Sequence, residues 1–496
     1  MEGSGKSHVN YANALIDVLK RRGHTVDLFA AKVNPALDFN DTSSLTENVY
    51  VVDNDYSEWH LAMKNVYSPF LGDKPWNPFR TYYRAMAGQI MNACQKVLES
   101  PELQKVKQQK YDFALVTNYD YCPFGVMHLL GIKRFAIFSA LPTLPISVIH
   151  GGIPELPLYS NNIAERRIGV PKTSVIGRAS DIIQSLAIRY LLHDYAGRYN
   201  DLFHGHASAN FPGADVLASR AAVDFANEHP LLAEPKPISA KTKAIGGIAL
   251  KNPRKQNEKF EAILRARKGT VIFSFGTMVP TQLIPQDIMK AFVGVFKNFP
   301  DYTFLWKLDN RTFSDAPNVV CVDWLPQTDL LCDSRVVGFI SHMGLNSFTE
   351  AAYSGTPVVA LPLQIDQFHN AVRAVSLGIA VQLDKSALTS ENIVQAIRSL
   401  LADPSLKESA TRIAALLADY PDRADRVLIE SVEFAAKHED IYKHLTPIGA
   451  SHSLFVQNGW DVLLLVLLFT IIVVSAGAAM IHLARPQLNW RKAKSE

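Results

Sequence analysis

Residues 341–371 read SHMGLNSFTEAAYSGTPVVALPLQIDQFHNA, and the pattern of this stretch decides the fold class of the chain. It continues an apolar run, VVGFI at residues 336–340, and contains a second one, TPVVALP at residues 356–362. A helical pattern that ends at Gly355 separates the two runs. Strand, helix and strand in this order are typical of a parallel β-α-β unit. Ligands of such sheets bind beyond the carboxyl ends of the strands.

Polar residues stand where the first of these strands ends. His342 closes the strand, Gly344 lets the backbone approach a ligand, and Asn346 and Ser347 open the helix. The first turn of a helix offers free N–H groups and a positive dipole end, which suit a phosphate group. The stretch therefore predicts a phosphate site at this edge of the sheet.

A second group of polar residues suits hydroxyl groups. Glu350 lies one turn further along the same helix, where its carboxylate can accept hydrogen bonds from a diol such as ribose. Asp366 and Gln367 follow the second strand and offer paired oxygens for further hydroxyls. Each residue alone is equally compatible with a helix cap or a solvated surface position. Their shared position at strand ends favours a ligand site.

The α/β pattern extends through most of the 496 residues. Residues 111–139 alternate strand, helix and strand, and a second series begins with GTVIFSFGT at residues 269–277. A proline-rich passage at residues 228–250 separates the two series and is typical of a linker. We therefore predict an α/β protein with two doubly wound, Rossmann-like domains that face a cleft, at residues 1–240 and 241–425.

Composition argues against several classes of function. The net charge of +3, without a dense patch of lysine and arginine, argues against nucleic acid as a partner. The four cysteines, Cys94, Cys122, Cys321 and Cys332, include no C-x-x-C pair, so no zinc site is predicted. We expect four unpaired thiols, and a Cys321–Cys332 bridge stays open as the alternative.

One apolar segment near the carboxyl end is long enough to cross a bilayer. Residues 462–481 carry no charge, and a helix of that length spans about 30 Å. We predict a helical segment at 426–457, a transmembrane helix at 458–484 and a basic tail at 485–496, which the positive-inside rule places in the cytosol. The large domains then lie outside the cytosol, yet residues 1–10 lack the apolar core of a signal peptide. Either the start is truncated or this orientation is wrong, and we favour a truncated start because the first strand of the fold is also expected to be missing.

Several motifs resemble those of one known family. WLPQ at residues 324–327, SHMG-N---E at 341–350 and DQ--NA at 366–371 match the signature of the UDP-glycosyltransferases in order and spacing. The chain resembles the membrane-bound animal UDP-glucuronosyltransferase type over nearly its whole length. The resemblance implies a GT-B fold, whose second half binds a UDP-sugar and whose first half binds a small lipophilic acceptor. It also implies inverting transfer of a hexosyl group to a hydroxyl, with the UDP-sugar as co-substrate and no metal or other cofactor.

The resemblance assigns roles to individual positions of the second half. Trp324 and Gln327 would face the uracil, and Glu350 the ribose hydroxyls. The diphosphate would be bound by Ser274, Thr277, His342 and Asn346, with Gly344 and Ser347 at the same helix start, and the sugar by Asp366 and Gln367. Met343 is a departure, because the family commonly has glycine at this position.

In the first half, His8 matches the acceptor-activating base of the family in an SHV context. Histidine titrates near the working pH, which suits general-base catalysis. We expect Asp120 to orient His8, with Asn118 or a looser arrangement as the alternative. Family members that use glucuronic acid carry an arginine upstream of the linker. Asn227 stands there and Arg220 lies too far upstream, so UDP-glucose is a serious candidate donor alongside UDP-glucuronic acid.

The resemblance also implies a cellular setting. We expect a single-pass protein of the endoplasmic reticulum membrane with lumenal catalytic domains, which could form homo- or hetero-oligomers. Sequons at Asn40 and Asn310 are compatible with a lumenal face. Lys492 and Lys494 resemble a dilysine retrieval signal, although positive-inside charge alone also explains them. The alternative function is a catalytically impaired, lipophile-binding membrane protein of the same fold.

Overall fold

Parallel strands form the framework of both halves of the chain. The computed structural model describes residues 2–3, 5–35, 37–56, 77–153, 173–277, 284–308, 311–363 and 366–493, and side chains within these ranges except at 2–3, 77–86 and 484–493. Buried runs of β-branched and aromatic residues form the central strands, as expected of sheets that helices cover on both faces. The strand GTVIFS at Gly269–Ser274, for example, is buried along its whole length.

The first half contains two parallel sheets. β1 (Glu2–Gly3), β2 (Leu28–Lys32) and β3 (Val49–Val52) form one sheet in the order β1-β2-β3. β4 (Ala114–Thr117), β5 (Phe135–Ser139), β6 (Asp224–Ala226) and β7 (Thr242–Ala244) form the other in chain order.

Two features of this half differ from the sequence-based expectation. The first strand was expected to be missing, but β1 is present as a two-residue strand that pairs with Ala31 and Lys32 of β2. The passage expected to be a linker contains β7, which pairs with β6 in the first half. The first domain therefore extends beyond its predicted boundary at residue 240.

The second half is one parallel sheet of the doubly wound type. β8 (Gly269–Ser274), β9 (Tyr302–Lys307), β10 (Val319–Val322), β11 (Val336–Ser341), β12 (Val358–Ala360) and β13 (Ala380–Gln382) follow the order β10-β9-β8-β11-β12-β13. The strand order reverses between β8 and β11, which lie side by side. A crevice forms beyond the carboxyl ends of strands at such a switch point.

Helices connect and cover these sheets. In the first half they are α1 (Lys6–Arg21), α2 (Asn40–Ser43), α3 (Asn77–Glu99), α4 (Pro101–Lys107), α5 (Cys122–Leu129), α6 (Pro145–His150), α7 (Val175–His206) and α8 (Ala214–Ser219). In the second half they are α9 (Glu258–Arg265), α10 (Gln286–Phe296), α11 (Gln327–Leu331), α12 (Leu345–Ser354), α13 (Asp366–Ser376), α14 (Ser390–Ala402) and α15 (Pro404–Ala418). The remaining helices are α16 (Ala424–Lys437), α17 (Ile441–Leu445), α18 (Leu454–Gln457) and α19 (Trp460–Ala493).

Helix α16 returns to the first half after the second half is complete. Leu428 and Val432 of α16 belong to the same buried cluster as Tyr11 and Leu15 of α1. At the end of α1, Arg22 forms an ion pair with Glu433 at 2.9 Å. The first half therefore consists of two separate stretches of chain.

A disulfide joins α3 to α5. It links Cys94 and Cys122, whose Cα atoms lie 5.7 Å apart, whereas Cys321 and Cys332 form no disulfide. The expectation of four unpaired thiols is wrong for the first pair, and the alternative Cys321–Cys332 bridge is not formed. The bridged residues are 28 positions apart in the chain, and only the packing of α3 beside α5 brings them together.

Helix α19 confirms the predicted apolar helix at the carboxyl end. Its segment Trp460–Leu483 has 24 residues and a mean hydropathy of 2.8, so it is long and apolar enough to cross a membrane. None of that apolar window is buried against the rest of the described chain. Within the described chain, the side chains of residues 460–483 therefore have no protein core to occupy.

Candidate active site

A cleft of about 2380 Å³ lies between the two halves. Its walls bring together twelve of the predicted site residues: His8, Ser274, Thr277, Trp324, Gln327, His342, Gly344, Asn346, Ser347, Glu350, Asp366 and Gln367. Asp120 does not line it. The carboxyl ends of β8 and β11 and the first turn of α12 form the wall of the second half, as the strand order requires.

The imidazole of His342 is held between two glycines. A Cβ atom at Gly276 or at Gly344 would lie 2.6 Å from this ring, so neither position has room for a side chain. Burial lowers the pKa of His342 to about 4, and the ring is therefore neutral at pH 7. A backbone hydrogen bond with Ser274 opposes this shift. The ring lines the cleft and can therefore meet a polar ligand.

Met343 takes the backbone conformation that glycine would take. Its φ is +64°, in the left-handed region, and its side chain is fully buried. The backbone is fixed on both sides, because Met343 N donates to Ser341 Oγ at 3.0 Å and Met343 O accepts from Asn370 Nδ2 at 3.0 Å. The close approach of Gly344 to His342 is thus kept despite the change from glycine at position 343.

Glu350 anchors a hydrogen-bonded cluster at one end of the cleft. Its carboxylate accepts from Gln327 Nε2 and from Thr328 Oγ1, the latter at 2.6 Å. Gln327 Nε2 also donates to Ser347 Oγ at 3.0 Å. Burial raises the pKa of Glu350, and these two hydrogen bonds oppose the shift. The cluster joins the predicted uracil-facing and ribose-facing residues into one unit.

Asp366 begins α13 on the other side of the site. Its Oδ2 accepts from Asn370 Nδ2 at 2.8 Å, one turn along the same helix. Burial raises the pKa of Asp366 to about 6. The neighbouring Gln367 accepts from the backbone N–H of Leu363 at 2.9 Å, which fixes its amide. Both side chains lie together at the end of β12, as predicted.

The sequence analysis did not predict two lysines that lie near Trp324. Trp324 is 57% exposed, and its ring centroid lies 5.3 Å from Lys307 Nζ and 5.6 Å from Lys6 Nζ. Lys307 ends β9 and donates to Gly276 O at 2.7 Å, whereas Lys6 comes from α1 in the other half. The position of Lys307 at the carboxyl end of a strand could have indicated a place in the ligand site, because ligands bind beyond the carboxyl ends of such strands. No spacing in the sequence relates Lys6 to Trp324.

His8 lies in the first turn of α1 and stacks on Tyr119. The two ring centroids are 4.8 Å apart and the planes are 21° from parallel. The side chain is partly exposed to the cleft, and removal from bulk water lowers the pKa of His8 to about 4. The imidazole is therefore neutral at pH 7 and can accept a proton, but its pKa lies below the working pH, contrary to the sequence-based expectation that it titrates near that pH.

A chain of contacts leads from His8 to the second half. The Tyr119 hydroxyl accepts from Ala140 N at 2.8 Å, and Ala140 O accepts from Asn227 Nδ2 at 2.9 Å. The same Nδ2 lies 3.4 Å from Asn346 Oδ1, at the start of α12. Buried Asn227 thus lies where the two halves meet, beside the predicted diphosphate site.

Asp120 lies next to Tyr119 in the chain, at the start of α5. Its carboxylate is buried and accepts from the backbone N–H of Cys122. The alternative residue, Asn118, does line the cleft, and its amide donates to Ser147 Oγ. The role of Asp120 in orienting His8 stays a prediction.

These features define a glycosyltransferase of the GT-B class: two Rossmann-like halves, a cleft between them and a polar nucleotide-type site at a strand switch point. A solved structure, the glycotransferase of kitacinnamycin, has the same fold, with a TM-score of 0.57. The match covers 90% of this chain and 98% of the other, at 18% sequence identity.

The chain belongs to the UDP-glucoronosyl and UDP-glucosyl transferase family, whose model matches residues 3–488. UDP-glucuronosyltransferase 1A6 of Homo sapiens is 27% identical over 478 residues, which cover 92% of this chain and 86% of that protein. UDP-glucosyltransferase 2 of Dactylopius coccus is 25% identical, over 99% of this chain and 93% of that protein. The chain is therefore a UDP-glycosyltransferase, and its apolar helix fits a membrane-bound member of the family.

Proposed function

We propose that the chain is an inverting transferase that moves glucose or glucuronic acid from UDP to a hydroxyl of a small lipophilic acceptor. The neutral imidazole of His8, in the cleft wall opposite the predicted donor residues, carries this proposal. The acceptor oxygen bonds to the anomeric carbon while its proton passes to an imidazole nitrogen of His8. The bond from the anomeric carbon to the β-phosphate oxygen breaks, and UDP leaves with the electron pair.

The departing UDP needs its negative charge stabilised. The first turn of α12 offers backbone N–H groups and a positive dipole end, and Lys307 adds a nearby cation. His342 adds a neutral imidazole that lines the cleft. These groups supply the stabilisation that a resident metal would otherwise give, so we expect chelation with EDTA to leave activity unchanged.

The acceptor is proposed to be lipophilic because the first half lines its part of the cleft with apolar side chains. They are Leu141, Leu144, Ile146, Ile188, Leu191 and Leu192. A hydroxyl compound held against these residues lies on the same side of the cleft as His8. The apolar surface then binds the acceptor, and the polar surface of the second half binds the donor.

Asn227 favours glucose over glucuronic acid as the transferred sugar. A glucuronate carboxylate calls for a cation at the place where the halves meet, and Asn227 offers a neutral amide there. The nearby cation Lys236 is already paired with the carboxylate of Glu228 at 2.7 Å. A buried carboxylate without a cation is costly, so we propose UDP-glucose as the preferred donor.

We further propose that the protein lies in the endoplasmic reticulum membrane with its two halves in the lumen. The basic residues that follow the apolar segment support this orientation through the positive-inside rule. Asn40, the sequon inside the described residues, is exposed at the start of α2, where a glycan has room. Asn310 lies outside the described residues.

The alternative of an impaired lipophile-binding protein depended on a misplaced His8. The missing first strand was the reason to expect this misplacement. Because β1 is present and His8 lies in the cleft, that reason no longer holds. The site therefore supports an active enzyme better than it supports an impaired lipophile-binding protein.

His8→Ala tests the proposed mechanism. Transfer should fall by about 10²–10⁴-fold, the usual contribution of a general base. Inhibition by UDP should stay unchanged, because the predicted UDP contacts lie in the other half. His193→Ala is the matched control, since His193 is exposed on α7 and does not line the cleft. Activity of His8→Ala within about tenfold of wild type would remove His8 from the mechanism.

The same assay identifies the donor sugar. Wild-type enzyme and Asn227→Arg are each given UDP-glucose and UDP-glucuronic acid. We expect the wild type to prefer UDP-glucose and the variant to shift its preference toward UDP-glucuronic acid. A wild-type preference for UDP-glucuronic acid would contradict the assignment of Asn227 and leave the role of His8 untouched.

A further inference from the structure

Two lysines from different halves of the chain converge on Trp324 in the cleft. Lys6, in the first turn of α1, places its Nζ 5.6 Å from the centroid of the indole ring, and Lys307, at the end of β9, places its Nζ at 5.3 Å. All three residues line the cleft. A cation gains little from an exposed aromatic face, whereas a charge-assisted hydrogen bond to an anion is strong. Contact with the indole therefore leaves the main binding capacity of both ammonium groups unused.

The charges of the two lysines are not offset by the part of the protein that the structure describes. Among the described residues, no carboxylate pairs with either ammonium group. The first turn of α1 contains no acidic residue, and Lys307 Nζ donates to a backbone carbonyl, Gly276 O, at 2.7 Å. Burial lowers the pKa of Lys307, and the charge of Lys6 lowers it further. The two like charges therefore repel each other, and an anion bound between them would remove this repulsion.

Both lysines lie beside the predicted diphosphate site. Gly276, which accepts the hydrogen bond of Lys307, packs so closely on the ring of His342 that a Cβ atom there would lie 2.6 Å from it. Lys6 precedes His8 by two residues, about 3 Å along the axis of α1. The proposed base must approach the anomeric carbon, and one oxygen links this carbon to the β-phosphate. A side chain as long as that of Lys6 can therefore reach the diphosphate when His8 is in place.

We propose that Lys6 is a donor-binding residue that the first half supplies, and that its ammonium group and that of Lys307 together bind the diphosphate of the UDP-sugar. The inference rests on the proposed function, because it takes UDP as the leaving group. The first half thereby adds one contact to the contacts predicted for the second half.

This role places two parts of the reaction on one helical turn. Negative charge grows on the β-phosphate as its bond to the anomeric carbon breaks, and a cation beside it stabilises that charge. The first turn of α1 then holds both the proposed base, His8, and a cation for the leaving group. Because both side chains belong to the same turn, the position of the acceptor hydroxyl and that of the departing UDP are set relative to each other.

Binding of UDP and of uridine to the full-length protein in detergent tests the proposal without a transfer reaction. Lys6→Met keeps a long apolar side chain beside Trp324 and removes the charge, whereas Lys6→Arg keeps the charge. Lys20→Ala is the matched control, since Lys20 is exposed on the same helix and does not line the cleft. Isothermal titration calorimetry gives the dissociation constants of both ligands for the wild type and each variant.

We expect Lys6→Met to weaken UDP binding by about tenfold to a hundredfold, as for the loss of a hydrogen bond to a charged group, and to change uridine binding by less than about threefold. Lys6→Arg and Lys20→Ala should bind both ligands nearly as the wild type does. Unchanged UDP affinity in Lys6→Met would overturn the proposal, and so would a loss in Lys6→Arg as large as that in Lys6→Met.

The uridine measurements exclude two other roles of Lys6. Equal losses for UDP and uridine would overturn the proposal by showing that Lys6 acts through its packing on Trp324. Tighter uridine binding to Lys6→Met would overturn it by showing that Lys6 occupies the place of the base. Failure of the wild type to bind UDP would refute the proposed donor together with this inference, whereas UDP binding that is independent of the charge at position 6 would refute this inference alone.

Discussion

At the scale of single residues, Met343 combines a strained backbone with a well-packed side chain. The left-handed conformation costs a non-glycine residue about 1–2 kcal/mol, whereas loss of a buried methionine side chain costs about 2–5 kcal/mol. Packing therefore outweighs strain, and the protein gains stability by keeping methionine at this position.

Two variants separate these contributions at Met343. Met343→Ala loses the side chain and keeps the strain, while Met343→Gly loses the side chain and relieves the strain. We expect both variants to melt below wild type, with Met343→Gly more stable than Met343→Ala by about 1 kcal/mol. Thermal unfolding monitored by circular dichroism measures the order. An alanine variant at least as stable as the glycine variant would show that the positive φ carries no strain.

Glu350 and Asp366 should affect donor binding differently. Glu350 lies in the cluster with Gln327, so Glu350→Gln should weaken inhibition by UDP by about tenfold to a hundredfold, as expected for loss of a charged hydrogen-bond acceptor. Asp366→Asn should reduce turnover and spare UDP affinity, because its predicted contact is the sugar. Equal losses of UDP affinity in both variants would refute the division of roles.

The pH dependence gives a second readout for Asp366. Burial raises the pKa of Asp366 to about 6, so the carboxylate is ionised above pH 6 and protonated below it. We therefore expect kcat/KM for the donor to fall as the pH decreases through 6, and Asp366→Asn to lack this step. His8 and His342, each with a pKa near 4, do not titrate in this range.

Residue types and spacing predicted which side chains of the second half line the cleft, because these residues follow two strands of one local unit. They could not predict Lys6 beside Trp324 or Asn227 beside Asn346. Both contacts join residues from different halves, and no local pattern encodes how two separately folded sheets face each other.

At the scale of elements, the disulfide between α3 and α5 supports the segment that contains Asp120 and the cleft-lining Tyr119. It closes a loop of 28 residues, and loop-closure entropy for this length corresponds to roughly 3–4 kcal/mol. Cys94→Ala should therefore lower the melting temperature, and reductant should lower that of wild type by a similar amount. Cys332→Ala is the control, since this thiol is free and exposed. Equal melting temperatures for wild type with and without reductant would argue against a stabilising bridge.

The order of strands and helices was largely predictable from apolar periodicity, whereas two elements were not. β7 lies in a proline-rich passage whose composition favours a linker, and its three residues are too short for a periodic signal. α16 has an ordinary amphipathic pattern, which predicts a helix and contains no information about the half on which it packs.

At the scale of the whole molecule, the position of the basic residues predicts sidedness. In sealed microsomes that contain the full-length protein behind a cleaved signal peptide, added protease should leave both halves intact. After permeabilisation with detergent, the same protease should degrade them. The permeabilised sample is the control for susceptibility. Degradation in sealed vesicles would place the catalytic halves in the cytosol.

The return of α16 to the first half has a consequence for protein engineering. A chimera made by joining the first half of this chain to the second half of a relative at residue 250 would pair α1 with a foreign α16. The buried cluster that Leu428 and Val432 share with Tyr11 and Leu15, and the pairing of Arg22 with Glu433, would then be mismatched. The second half is better treated as an insertion between two junctions, near residues 250 and 422. Exchange at both junctions transfers the second half intact and leaves the first half with its own α16.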